Sequence, residues 1–144
     1  MSTRRVGLET MHERQEFPAI PLDLSREAVS LLLESLNAQL PRDTDGVELV
    51  PPSALASLSL AALLRHTALP DGSLHISQEI RIERAIHVDS HAICTAVVST
   101  ISNKAGLTFV SLDFSVAGFG SHERDSGEIL ATVSSTVMFP EINA

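Results

Sequence analysis

The sequence predicts an α+β protein in which a curved antiparallel sheet wraps around one central apolar helix. Two observations carry this. Residues 49–64, LVPPSALASLSLAALL, form sixteen consecutive uncharged positions between Glu48 and Arg65. After Gly72 the apolar pattern then changes from a period of 3.6 to a period of 2. A helix that is apolar on nearly every side must be surrounded. A sheet with one apolar face needs something to cover it. Each is the simplest answer to the other.

Chain length and composition set the outer bounds. With 144 residues, 44% of them hydrophobic and 19% charged, the chain is globular and can bury a core. A flexible tail is expected over residues 1–11 and a single domain over 12–144. Eighteen acids against ten bases give a net charge of −8. That opposes nucleic acid or an anionic membrane as the main partner. There is no Trp or Tyr and there are five Phe, so stacking on bases has little to work with. One cysteine, Cys94, excludes an internal disulfide and a paired-cysteine metal site, and it reads as a small buried hydrophobe. The first residues lack the apolar stretch of a signal peptide. The apolar helix is shorter than the ~20 residues a bilayer requires. A cytosolic protein is the expectation.

In chain order, residues 13–24 contain QEFPAIPLDL, and two prolines allow only an extended or edge strand. Ser25 can cap a helix and Glu27 lies in its first turn. Val29, Leu32, Leu33, Leu36 and Leu40 repeat at helical spacing, so the spacing predicts a helix over 26–39, stopped by Pro41. Residues 42–48, RDTDGVE, form a loop turning at Gly46. The central helix follows, with Pro52 suited to a first position and Ala and Leu thereafter. Ala54, Ser57 and Ala61 form a narrow arc of small side chains. His66 suits the helix C-terminus.

Four strands are expected next. In 73–84, Leu74, Ile76, Ile80 and Ile82 share one face with Gln78, opposite His75, Ser77, Glu79, Arg81 and Glu83. The run 86–102 puts Ile93, Val97 and Ile101 on one face. Asn103-Lys-Ala-Gly106 is a hairpin connection. Residues 107–116 place Val110, Leu112, Phe114 and Val116 together. After a polar loop over 119–127, residues 128–139 align Ile129, Ala131, Val133, Val137 and Phe139. Short turns between consecutive strands require antiparallel pairing.

This order resembles the hotdog fold, and the residues resemble its MaoC-like acyl dehydratase branch. The segment SLHISQEIRIERAIHVDSHAICTAVVS (73–99) is similar to that family's first long strand, turn and second strand, with Ala85 in the proline place and Asp89-Ser90 near a Gly-Asp step. VPPSALASLSLAALL resembles the family's central helix, and GEILATVSSTVMF resembles its closing strand. The resemblance covers about residues 45–140. It implies hydration or dehydration of an acyl thioester, carried by an Asp and a His ahead of the central helix, in a Gly-Asp-x-Asn-Pro-x-His motif. Backbone N–H groups at that helix's start would polarise the thioester oxygen.

The motif is absent: no histidine occurs between Asn37 and Leu64, and Pro51-Pro52 replaces the glycine turn of related thioesterases. Asp43 and Asp45 lie in the right region, with turn or cap roles as the alternative. Asp71 and His75 lie four apart but after the helix. Ser53 and the first helical N–H groups could polarise a carbonyl. Any helix start offers the same donors. Gln78 could line an acyl pocket, or satisfy its amide with an internal bond. His87 and His91 bracket a turn without a ligand spacing. Arg65, Arg81, Arg84 and Lys104 could meet CoA phosphates, or pair with neighbouring glutamates. No cofactor and no metal are expected.

MaoC-like proteins often pair a hotdog carrying the Asp/His dyad with one that lacks it and shapes the pocket. The resemblance therefore implies a homodimer, or a heterodimer with a second hotdog subunit, and an acyl-CoA or other acyl thioester as ligand. An acyl-CoA thioesterase using Asp43 or Asp45, and a non-enzymatic acyl-CoA-binding hotdog, are the alternatives.

Overall fold

The computed structural model describes residues 6–7, 11–118 and 128–141. Its core is a five-stranded antiparallel sheet packed around the central helix. In chain order the elements are β1 (Val6–Gly7), β2 (Ile20–Leu22), α1 (Arg26–Ser35), α2 (Pro52–Leu63), β3 (Thr67–Ala68), β4 (Leu74–Ile82), β5 (Ala92–Lys104), β6 (Leu107–Gly118) and β7 (Ile129–Pro140). The large sheet has the order β2-β5-β6-β7-β4, and β1 pairs in parallel with β3. That short pair, and the buried Met11, lie in or at the end of the stretch expected as a tail.

α2 forms where alanine, leucine and an N1 proline predict it. Ala54, Leu55, Ala56, Ser59, Ala62 and Leu63 are buried. The expected small arc is split: Ala54 faces the core, whereas Ser53, Ser57 and Ala61 form the exposed stripe. In α1 the Ser25 hydroxyl accepts the Ala28 N–H, the N-cap read from sequence. This helix stops four residues short of the expected end. Asn37 takes a left-handed φ of 54° and the Ala38 N–H turns back to the Leu33 carbonyl.

All pairings in the large sheet are antiparallel, as expected, but the neighbours differ. β4 pairs with β7 at the far side of the sheet, not with β5. Residues 83–91 cross instead of turning, and strand 86–102 begins only at Ala92. Along the way Val50 N–H bonds the Ile86 carbonyl and Val88 N–H bonds the Glu48 carbonyl. The crossing segment thus pairs with the approach to α2, and Asp89 turns it with φ 67°.

β5 also corrects its expected face. Ala92, Cys94, Ala96 and Val98 are buried, and Ile93 and Val97 lie on the outer face. Small side chains there let the sheet lie close to α2; Cys94 and Ser59 of α2 are in contact. A register shift between Val98 and Thr100 then brings Ile101 opposite the buried Val110, so that residue does join the core. On β6 and β7 the expected faces hold. Val110, Leu112, Phe114, Val116, Ala131, Val133, Val137 and Phe139 are buried. Ile129 is exposed, next to the irregularity opposite Val116 and Ala117. The expected loop 119–127, with His122, lies outside the described residues.

Candidate functional site

The start of α2 is the place to look for carbonyl polarisation. Pro51 is the N-cap and Pro52 opens the helix, so two of the groups nearest the terminus have no N–H. The Leu55 N–H already bonds the Pro51 carbonyl. Ser53 and Ala54 retain N–H groups without an intrahelical partner. Ser53 is exposed on the first turn and Ala54 is buried.

The carboxylates ahead of the helix are largely committed. Asp43 Oδ1 accepts the N–H groups of Asp45 and Val47, each at 2.9 Å. Its Oδ2 lies 3.3 Å from His87 Nε2. The Val47 N–H above all, then that of Asp45 and the His87 ring, hold the Asp43 carboxyl below the usual carboxylate range. Asp45 is exposed and contributes only its N–H to this turn. Glu48 bridges Arg26 at 2.7 Å and Arg42 at 3.4 Å.

The Asp43–His87 contact is what sequence reasoning missed. Asp43 has no histidine nearby in sequence, but the crossing segment delivers His87 from 44 residues on. The bridge between Leu49 and His87 sets the ring beside the 42–48 loop, just ahead of α2. No local signal marks a contact made by two loops so far apart. The pair is open to water, the side chains keeping 48% and 26% of their exposure.

Gln78 does not line a core pocket. It is exposed on β4, opposite the buried Ser135 of β7. The ladder bulges at Ile76, and at this edge position no described residue covers the face. His75 is likewise exposed on β4, and Asp71 stays in the turn before it. His91 is exposed, and among the described residues no three His, Cys, Asp or Glu side chains converge on a common point. Arg81 pairs with Glu83 at 2.7 Å and Arg84 with Glu128 at 2.8 Å, the reading as neighbours' partners. Arg65 and Lys104 make no ion pair among the described residues. A cleft of about 300 Å³ between α1 and the 38–48 segment is lined by charged residues, Arg26, Glu34, Arg42 and Glu48, and by Leu33 and Leu40.

The strand order, the central helix and the antiparallel ladder decide the architecture. The chain has the hotdog fold. Solved structures of this fold match along nearly the whole chain. A MaoC-like dehydratase from Rhodospirillum rubrum matches with a TM-score of 0.70 at 12% identity, covering 96% of this chain and 99% of that one. The R-hydratase PhaJ1 of Pseudomonas aeruginosa matches with a TM-score of 0.70 at 14% identity, covering 96% and 88%. The HadBC 3R-hydroxyacyl-ACP dehydratase complex of Mycobacterium tuberculosis matches with a TM-score of 0.70 at 13% identity, covering 92% and 100%. These proteins share the fold of this chain. No family model matches the sequence, and no curated protein matches it. Among the described residues no helix is long and apolar enough to cross a membrane.

Proposed function

We propose that this chain is a hotdog protein of acyl-thioester metabolism, of the (R)-enoyl-CoA hydratase or 3-hydroxyacyl dehydratase type. In this reading it is the half that shapes the pocket, not the half that moves the proton, and it works in the cytosol. Adding water across an enoyl thioester needs a base for the water, an acid for the α-carbon and donors for the thioester oxygen. The observation that carries the reading is the state of the carboxylates before α2. Asp43 is ionised and saturated by two N–H groups and a histidine, which makes it a weak base. The missing motif and the two prolines at the helix start point the same way. That one of the similar structures is a 3R-hydroxyacyl-ACP dehydratase complex supports a partner subunit.

The test is to assay the chain for hydration of a trans-2-enoyl-CoA, alone and after mixing with a hotdog protein that carries the Asp/His motif. No turnover alone, acyl-CoA binding by calorimetry, and a rate or chain-length preference of the mixture that depends on this chain are expected. An active single chain would refute the reading.

A second reading is favoured by the Asp43–His87 contact itself. A carboxylate that orients an imidazole is a general-base arrangement, and it could serve an acyl-CoA thioesterase. Hydrolysis of acyl-CoA by the isolated chain, lost in both Asp43→Ala and His87→Ala, would establish that reading in place of the first. Asp45→Ala is the control, since its carboxylate stands apart from the pair.

A further inference from the structure

We propose that Asp89 is a positioning residue: its carboxylate fastens the turn 87–90 to the start of α1 and so aims His87 at Asp43. The proposal rests on the contact between those two side chains and on neither reading of the reaction.

The Ser90 N–H donates to the His87 carbonyl at 3.2 Å, and the Ser90 hydroxyl donates to the same oxygen at 2.6 Å. This closes a turn with Asp89 in its third place, at φ 67°. A left-handed third place ordinarily calls for glycine, and aspartate is one of the few other residues that tolerate it. What aspartate adds is a carboxylate. Its Oδ1 accepts the Arg26 N–H at 3.0 Å. That N–H is the first of α1 and has no carbonyl within the helix to serve it. A negative charge also suits a helix N-terminus. The Asp89 N–H donates in turn to the carbonyl of the buried Leu24, at 2.8 Å. Side chain and backbone of Asp89 thus both hold the turn to residues 24–26.

Arg26 is the common anchor. Its backbone N–H goes to the turn that carries His87, and its guanidinium goes to Glu48 at 2.7 Å, in the loop that carries Asp43. The direct pairing of turn and loop is short. It consists of the Val50 N–H on the Ile86 carbonyl and the Val88 N–H on the Glu48 carbonyl, either side of the Leu49–His87 bridge. Beyond Val88 this pairing ends, and Asp89 reaches to Leu24 and Arg26 instead. The His87 ring meets Asp43 at 3.3 Å, a long contact that a small rotation of the turn would break. Ser25 caps the Ala28 N–H, so α1 does not depend on Asp89 alone. The distinct effect of the Asp89 carboxylate is therefore on the path of the turn, and through it on the His87 ring.

The NMR resonances of the His87 ring in the full chain, assigned with His87→Gln, test this. The quantity read is how far Asp43→Asn moves them. Asparagine keeps an oxygen for the Asp45 and Val47 N–H groups and removes the charge facing His87. A clear movement is expected in the otherwise wild-type chain. Asp89→Asn keeps an acceptor oxygen and the tolerance of left-handed backbone, and should preserve the movement. Asp89→Gly keeps the turn but lacks the acceptor, and should cut the movement to about half or less. Ser25→Ala weakens the other cap of α1 and should leave the movement unchanged, which separates aiming from general loosening of the helix. No movement in the wild type, a full movement in Asp89→Gly, no rescue by Asp89→Asn, or an equal loss in Ser25→Ala would each overturn the proposal. None of these results bears on acyl-CoA turnover, which decides the reaction separately.

Discussion

The two edges of the large sheet are built on opposite principles. At the β5 side the chain covers its own edge. Arg14 N–H bonds the Val98 carbonyl at 2.7 Å, Val98 N–H bonds the Gln15 carbonyl at 2.9 Å, and Phe17 N–H bonds the Ala96 carbonyl at 3.0 Å. β2 then continues the cover to Ala92. Pro18 and Pro21 lie in the covering segment and have no N–H to offer a further strand. At the β4 side the strand has no proline and, among the described residues, no cover, and eight of its nine residues are exposed. One edge is covered by the chain's own earlier residues, and the other has no neighbour among the described residues. A strand can therefore belong fully to the ladder and still bury little of its own surface within one chain.

Core truncations should separate the edges most sharply. Leu22→Ala, at a buried position of the closed edge, is expected to cost about 2–4 kcal/mol of unfolding free energy in urea. Ile82→Ala on the open edge, where the side chain is exposed, is expected to cost under about 1 kcal/mol. Equal losses would mean that β4 is covered in solution. Next in size is Ser25→Ala, which removes the α1 cap just after the closed edge. It should cost about 1 kcal/mol by the same urea titration, and Ser25→Asp should recover most of it.

The smallest effect concerns the crossing from β4 to β5, where Asp43 holds His87. The Asp43 carboxyl is depressed in the folded chain, relative to an ordinary value of 3.8. A depressed carboxyl contributes stability that is present above its unfolded value and lost as pH falls through the folded one. Thermal unfolding of the wild type should therefore weaken more steeply below about pH 4 than that of Asp43→Asn. Parallel pH profiles would remove the contact from the account. A thiol titration gives an independent check on the buried face of β5. Burial raises the Cys94 thiol above its usual range. A disulfide reagent should modify it slowly in the native chain and rapidly in urea.

Periodicity made part of this molecule legible in advance. The central helix, the N-cap at Ser25, the Asn103–Gly106 turn and the apolar faces of β6 and β7 all follow from neighbours within a few positions. Ala105 and Gly106 do take the positive φ that a tight hairpin needs. The β5 face was not legible, because apolar size suggested Ile93 and Val97 while close approach to α2 selected Ala92, Cys94 and Ala96 instead. Nor was the partner of Asp43, since only the path of residues 83–91 brings His87 to it.

What the amino acids settled unaided is local: which stretches coil, which extend, where each turns, and that one greasy segment needs a wrapping. Tertiary structure alone decided adjacency, namely that β4 joins β7, that Gln78 is left exposed, and that one flank of the sheet has no neighbour among the described residues. The reason is that the free energy of a strand depends on what lies beside and beneath it, and those neighbours come from far along the chain.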